Sequence, residues 1–186
     1  LIITSEPTQG GSTLGANEYN DGTNANISAE PQLGYSFVGW IGDNIHAPGE
    51  KDTTILMDQD LNITANFSIN SYTLSIDKNG SGSVSGANSY TYGSVAHITA
   101  TPSEGYSFVS WTGHGITNPT SPNTTIKVDQ DLNITANFSK LSLDLSVSVI
   151  EGGEVATNGI FEYGSTISLV ATAHDGWQFS QWVGAS

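Results

Sequence analysis

Apolar and polar side chains alternate in short runs along this chain, and the runs are bounded by Gly, Asn, Asp and Ser. In Tyr72–Ile76, Leu74 and Ile76 share one face. Val95–Ala100 and Tyr106–Trp111 repeat the period-2 pattern. Residues Thr125–Val128 and Leu132–Phe138 place Ile126, Val128, Leu132, Ile134, Ala136 and Phe138 on one side, with Lys127, Asn133, Thr135 and Asn137 on the other. Alternation of this kind specifies half-buried strands, because successive side chains of a strand point to opposite faces. The last two runs are expected to pair as a hairpin that closes a sheet. The glycine-rich stretches Gln9–Gly11 and Asn79–Gly82 are expected to be hairpin turns. No segment carries the 3.6-residue period of an amphipathic helix, and Pro119 and Pro122 disfavour a helix before Ile126.

The pattern recurs at a fixed distance. Gly34–Trp40 returns as Gly105–Trp111 and again as Gly176–Trp182, each 71 residues after the last. Asp58–Ser68 returns as Asp129–Ser139 at the same offset. Gly11, Gly82 and Gly153 keep this phase, as do Gly22, Gly93 and Gly164, and Ala29, Ala100 and Ala171. A repeated supersecondary unit is the simplest cause. The division implied is 1–69, 70–140 and 141–186, and the third copy lacks the counterpart of Thr124–Ser139. The fold class is therefore all-β: a tandem array of small β-sheet modules, sandwich or β-grasp-like, of about 71 residues each. Each module is small enough to need large apolar side chains in its core. Phe37, Trp40, Phe108, Trp111, Phe179 and Trp182 are the expected core, with a bulge or turn returning each Trp to the face of its Phe. The incomplete third copy is expected to take its missing hairpin from residues beyond Ser186 or from another chain. Short junctions such as Ser68–Ser71 should limit swing between copies.

Composition narrows the function. There is no cysteine, so disulfides, thiolate metal sites and thiol nucleophiles are excluded. The net charge is −14, with four lysines and no arginine. That balance argues against nucleic-acid partners and against anionic membrane surfaces. No run approaches the roughly 20 apolar residues of a membrane helix, so membrane insertion is not expected. The strand-like opening at Leu1–Thr4 reads as a piece of a longer chain.

The stretch from Ala100 to Trp111, followed by an acidic turn and by Asn133–Phe138, resembles the divergent internalin-type B-repeat. The resemblance spans the chain apart from the shortened last copy. It implies a bacterial tandem repeat from a large secreted or surface protein, used as a stalk, spacer or accessory module. Classical internalin B-repeats are similar to a β-grasp fold with a helix.

Candidate chemistry is sparse. His46, His97, His114 and His174 fall at four different phases of the repeat, so no histidine site recurs and catalysis is not expected. Asp58 and Asp60 recur as Asp129 and Asp131, with Asn62 and Asn133 beside them. Aspartate and asparagine oxygens suit calcium, and equally suit a turn held by local side-chain hydrogen bonds. The turn is the expected reading, and calcium is the one candidate cofactor. Tyr90 and Tyr92 alternate and are expected at the surface, although Asp21 replaces Tyr92 in the first copy. Asparagine sequons at Asn26, Asn62, Asn66, Asn123, Asn133 and Asn137 follow from composition. Two functions remain. One is a non-catalytic stalk, spacer or fibre segment of an adhesin-like surface protein. The other is a carbohydrate-binding accessory module of a secreted polysaccharide-degrading enzyme. The expected partners are neighbouring copies in the same chain, with another copy of the chain or surface glycans as further candidates.

Overall fold

A computed structural model describes residues 1–184. Strands and turns account for it, with one single-turn 3-10 segment at Thr8–Gly10 and no α-helix among the described residues. The first copy contains β1 (Ile2–Glu6), β2 (Gly11–Leu14), β3 (Thr23–Pro31), β4 (Tyr35–Ile41), β5 (Asp52–Met57) and β6 (Asn62–Ile69). The second contains β7 (Ser71–Asn79), β8 (Gly82–Ser85), β9 (Asn88–Thr91), β10 (Ser94–Pro102), β11 (Tyr106–Thr112), β12 (Asn123–Val128) and β13 (Leu132–Lys140).

Each of these copies is a sandwich of two sheets. In the second copy one sheet has the order β11-β13-β7-β9 and the other β12-β10-β8. Consecutive strands from β7 to β13 alternate between the two sheets. The first copy repeats the arrangement as β1-β6-β4 over β2-β3-β5, without a counterpart of β9. The first and last strands of each copy pair in parallel, β1 with β6 and β7 with β13.

This topology changes two expectations. The runs Thr125–Val128 and Leu132–Phe138 do not form a hairpin. Strand β12 pairs with β10, whereas β13 pairs with β7 and β11, so the chain arches across the core between them. Their apolar side chains still converge, because each run presents its apolar face to the space between the sheets. Likewise, the glycine-rich stretches at 9–11 and 79–82 are not hairpin turns: each carries the chain from one sheet to the other. The core of the second copy joins Ala96, Ile98, Ala100, Ile126 and Val128 of one sheet to Leu74, Trp111, Ile134, Ala136 and Phe138 of the other. The first copy buries the counterparts of these residues, including Trp40, Ile55, Ile63 and Phe67, except that Ile3, the counterpart of Leu74, is half-buried.

A bulge explains how the aromatic motif packs. Pairing of β11 with β13 slips between Phe108 and Ser110, and that of β4 with β6 between Phe37 and Gly39. The extra residue, Val38 or Val109, is pushed outward and exposed. Phe and Trp three positions apart therefore share the inner face. Trp40 and Trp111 are buried, with the half-buried Phe37 and Phe108 against them at 5.7 Å between ring centroids in both copies. Each indole N–H donates to a carbonyl of the loop that follows, Trp40 to Glu50 at 3.0 Å and Trp111 to Ser121 at 3.1 Å.

The third copy is thinner. It pairs β14 (Ser142–Leu145) with β16 (Gly159–Glu162), and β15 (Gly153–Val155) with β17 (Ala171–Ala173). The segment from Trp177 to Val183 matches β11 in sequence but is not in a sheet. Phe179 and Trp182, expected in the core, are 51% and 42% exposed. The cause is local: residues 143–184 hold no strand equivalent to β13, on which β11 packs its aromatic face. No described residue from 141 onward is buried.

Candidate functional site

The residues singled out for chemistry do not converge. All four histidines are exposed. Among the described residues no group of three or more His, Asp or Glu side chains is placed to hold a metal. Asp58 and Asp129 open the arches after β5 and β12, and Asp60 and Asp131 stand just before β6 and β13. Asp58 Oδ1 accepts from Asn44 Nδ2 at 2.6 Å, and Asp131 Oδ1 accepts from the Thr73 backbone N–H at 2.8 Å. The first bond fastens a turn at Asn44, the one described non-glycine residue with positive φ, at 62°, and the second ties the arch to strand β7. The counterpart of Asn44 in the second copy is Gly115, at 78°.

A cleft of about 920 Å³ opens in the third copy between Leu145–Val155 and Trp177–Gly184. Its aromatic lining corresponds to Tyr106, Phe108 and Trp111, which pack inside the second copy. The cleft occupies the lane that β13 fills there.

The most organised polar and aromatic geometry outside the cores lies between copies. One residue joins β6 to β7, Asn70, and one joins β13 to β14, Leu141. The Asn70 N–H donates to the Gly34 carbonyl at 2.8 Å, and the Asn70 carbonyl accepts from the Tyr92 N–H at 2.8 Å. Leu141 repeats both bonds with Gly105 and Tyr163, again at 2.8 Å. Each linker residue is thus held to the copy before it and to the copy after it.

A ring closes each junction. Tyr92 lies flat over Gly34, so close that a Cβ there would come within 2.0 Å of the ring. Tyr163 covers Gly105 in the same way, at 2.2 Å. Both glycines have positive φ, 85° and 78°. Two independent constraints therefore demand glycine: the left-handed turn and the approach of the ring. Gly34 and Gly105 are buried, whereas the equivalent Gly176 has no neighbouring atom within 4 Å of the Cβ position and is exposed. The second junction has additional polar contacts. Tyr163 donates its hydroxyl to Glu104 at 2.5 Å, and Lys140 pairs with Glu162 at 3.4 Å. The bond to Glu104 and the charge of that carboxylate hold the Tyr163 phenol above the ordinary tyrosine pKa.

Tyr92 was expected as a free surface aromatic; it is half-buried against the preceding copy. Tyr90 is half-buried too, packed on its own core with its hydroxyl donating to the Gly86 carbonyl at 2.8 Å. The junction was missed in sequence although its signal was present: Gly34, Gly105 and Gly176 recur in phase, as do Tyr92 and Tyr163.

The sequence profile of the divergent InlB B-repeat domain matches residues 1–71, 72–142 and 143–186. The chain belongs to the divergent InlB B-repeat family. The boundaries of these B-repeats lie two residues beyond the 1–69, 70–140 and 141–186 division. A protein named "Putative membrane protein" from Evansella cellulosilytica is 27% identical over 189 aligned positions, which cover 98% of this chain. The chain spans only 28% of that relative's length. No solved structure matches. No helix among the described residues is long and apolar enough to cross a membrane.

Proposed function

We propose that these B-repeats form a non-catalytic spacer, a stalk segment of a large secreted or surface-anchored bacterial protein of adhesin type. The observation that carries this reading is the junction. Two copies are joined through one residue, hydrogen-bonded on both sides and capped by a tyrosine ring on a buried glycine. A flexible tether needs none of these contacts, and a catalytic module needs convergent side chains instead. The strongly acidic surface, at net charge −14, keeps such a segment soluble and discourages lateral association. Resemblance along the whole chain to part of a much longer protein named as a membrane protein supports a place at the cell surface.

Small-angle scattering of the chain tests the reading. A compact globule of this length has a radius of gyration of about 16 Å. Copies held in series give a clearly larger value and the scattering profile of a stiff elongated particle. A value near the globular one, or the profile of freely hinged beads, contradicts a spacer.

A further inference from the structure

The junction occurs twice, but its aromatic half does not occur three times. The turns at 20–23, 91–94 and 162–165 share one backbone form: Gly22, Gly93 and Gly164 have φ of 75°, 79° and 76°. The Gly22 N–H donates to the Met57 carbonyl at 2.6 Å, as the Gly93 N–H donates to Val128 at 2.7 Å. The residue before the glycine is Tyr92 in the second copy, Tyr163 in the third and Asp21 in the first. The turn of the first copy is therefore built to present a ring and presents an exposed carboxylate instead.

We propose that this one position decides whether a repeat locks onto the repeat before it. Tyr92 and Tyr163 are the locking residues. Asp21 makes the first copy the unit that does not lock backward, so that any segment upstream meets it across a hinge. The same logic defines what the far end accepts. The turn at Asp175–Gly176 has the conformation of the two filled seats, with Gly176 at φ 83° and its face open. Asp175 stands where Glu104 receives the Tyr163 hydroxyl. The partner that fits this seat is the Tyr-Gly-Ser turn of a further copy. An Asp21-type turn would instead set a carboxylate on a desolvating glycine seat, beside the carboxylate of Asp175.

This inference rests on the spacer reading and is tested so that the two can fail separately. The chain has no cysteine, so spin labels can be placed at Leu56→Cys and Lys127→Cys, equivalent exposed positions of the first two copies. Pulsed electron resonance should give one narrow inter-label distance in this parent and in Tyr92→Phe. Tyr92→Asp should broaden the distribution severalfold while the amide NMR fingerprint of each copy stays folded. A narrow distribution in a folded Tyr92→Asp chain overturns the lock and leaves the spacer intact; a broad one in the parent overturns the spacer itself. If Tyr92→Asp does not fold, the lock is read from chains with a duplicated repeat. Residues 72–142 inserted after residue 71 should give a narrow distance across the new junction. Residues 1–71 inserted there, which bring Asp21 onto Gly34, should give a broad one, and Asp21→Tyr in that insert should narrow it. Equal widths in all three inserts also overturn the proposal.

Discussion

Replacing Trp111 by alanine is the sharpest perturbation of a single copy. Its side chain is 2% exposed and lies between the two sheets. It packs against Phe108 with the ring planes tilted by 58° and the centroids 5.7 Å apart, and its indole donates to Ser121 across the loop that covers the core. Removing a buried indole of this kind costs about 3–5 kcal/mol, from lost transfer energy and from the cavity left behind. A module of about 70 residues has roughly 4–11 kcal/mol in total, so the loss removes a large share of it. At about 4–8 °C per kcal/mol, the second copy should melt at least 12 °C lower. Trp182→Ala supplies the internal control. Trp182 occupies the same position in the repeat but is 42% exposed, so its loss should cost less than about 1 kcal/mol. Urea titration followed by two-dimensional amide NMR resolves the copies and assigns each loss to its module. If Trp111→Ala costs under about 1 kcal/mol, or Trp182→Ala costs as much as Trp111→Ala, then the sandwich core is wrongly drawn.

Other consequences are independent of this one. Deleting Val109 removes the bulge and turns Trp111 to the outer face, so the second copy should lose cooperative unfolding; Val109→Thr, at an exposed site, should change stability by no more than about 0.5 kcal/mol. Asp129→Asn combined with Asp131→Asn, or a chelator, should shift the melting temperature by less than about 2 °C, and a large chelator effect absent from the double variant would show a structural calcium ion. The pKa of Tyr163 is raised on folding, so its contact with Glu104 contributes fully below the unfolded tyrosine pKa of about 10 and is lost as pH rises through the higher folded value. Ultraviolet titration should show one tyrosine ionising late, and Glu104→Gln should return it toward the ordinary range; no late-ionising tyrosine in the parent would remove that contact from the junction.

What was legible in the sequence was whatever a period can encode. Alternation in Leu132–Phe138 gave the buried set correctly, because that face is inward whichever strand lies alongside. It could not give the partner: β12 and β13 look like a hairpin on a pattern that an arch satisfies equally. The Phe-to-Trp spacing of three implied an irregularity, and the bulge at Val38 and Val109 is that irregularity. The exposure of Phe179 and Trp182 was not legible from their own motif, since burial of that motif depends on a strand more than 20 residues away in sequence, β13 in the second copy. The junction was the hardest to foresee. Gly34 resembles any turn glycine until Tyr92, 58 residues later, is placed on top of it. A long-range contact between two unremarkable residues leaves no local trace beyond their shared phase.

A spacer of this kind holds its copies fixed to one another rather than strung on a tether. Residual dipolar couplings measured for amides of the first and second copies in a weakly aligned sample test it most directly. With the copies fixed, one alignment tensor should fit both sets, with the orientation given by the Tyr92–Gly34 junction. Two tensors of different magnitude, one for each copy, would contradict it.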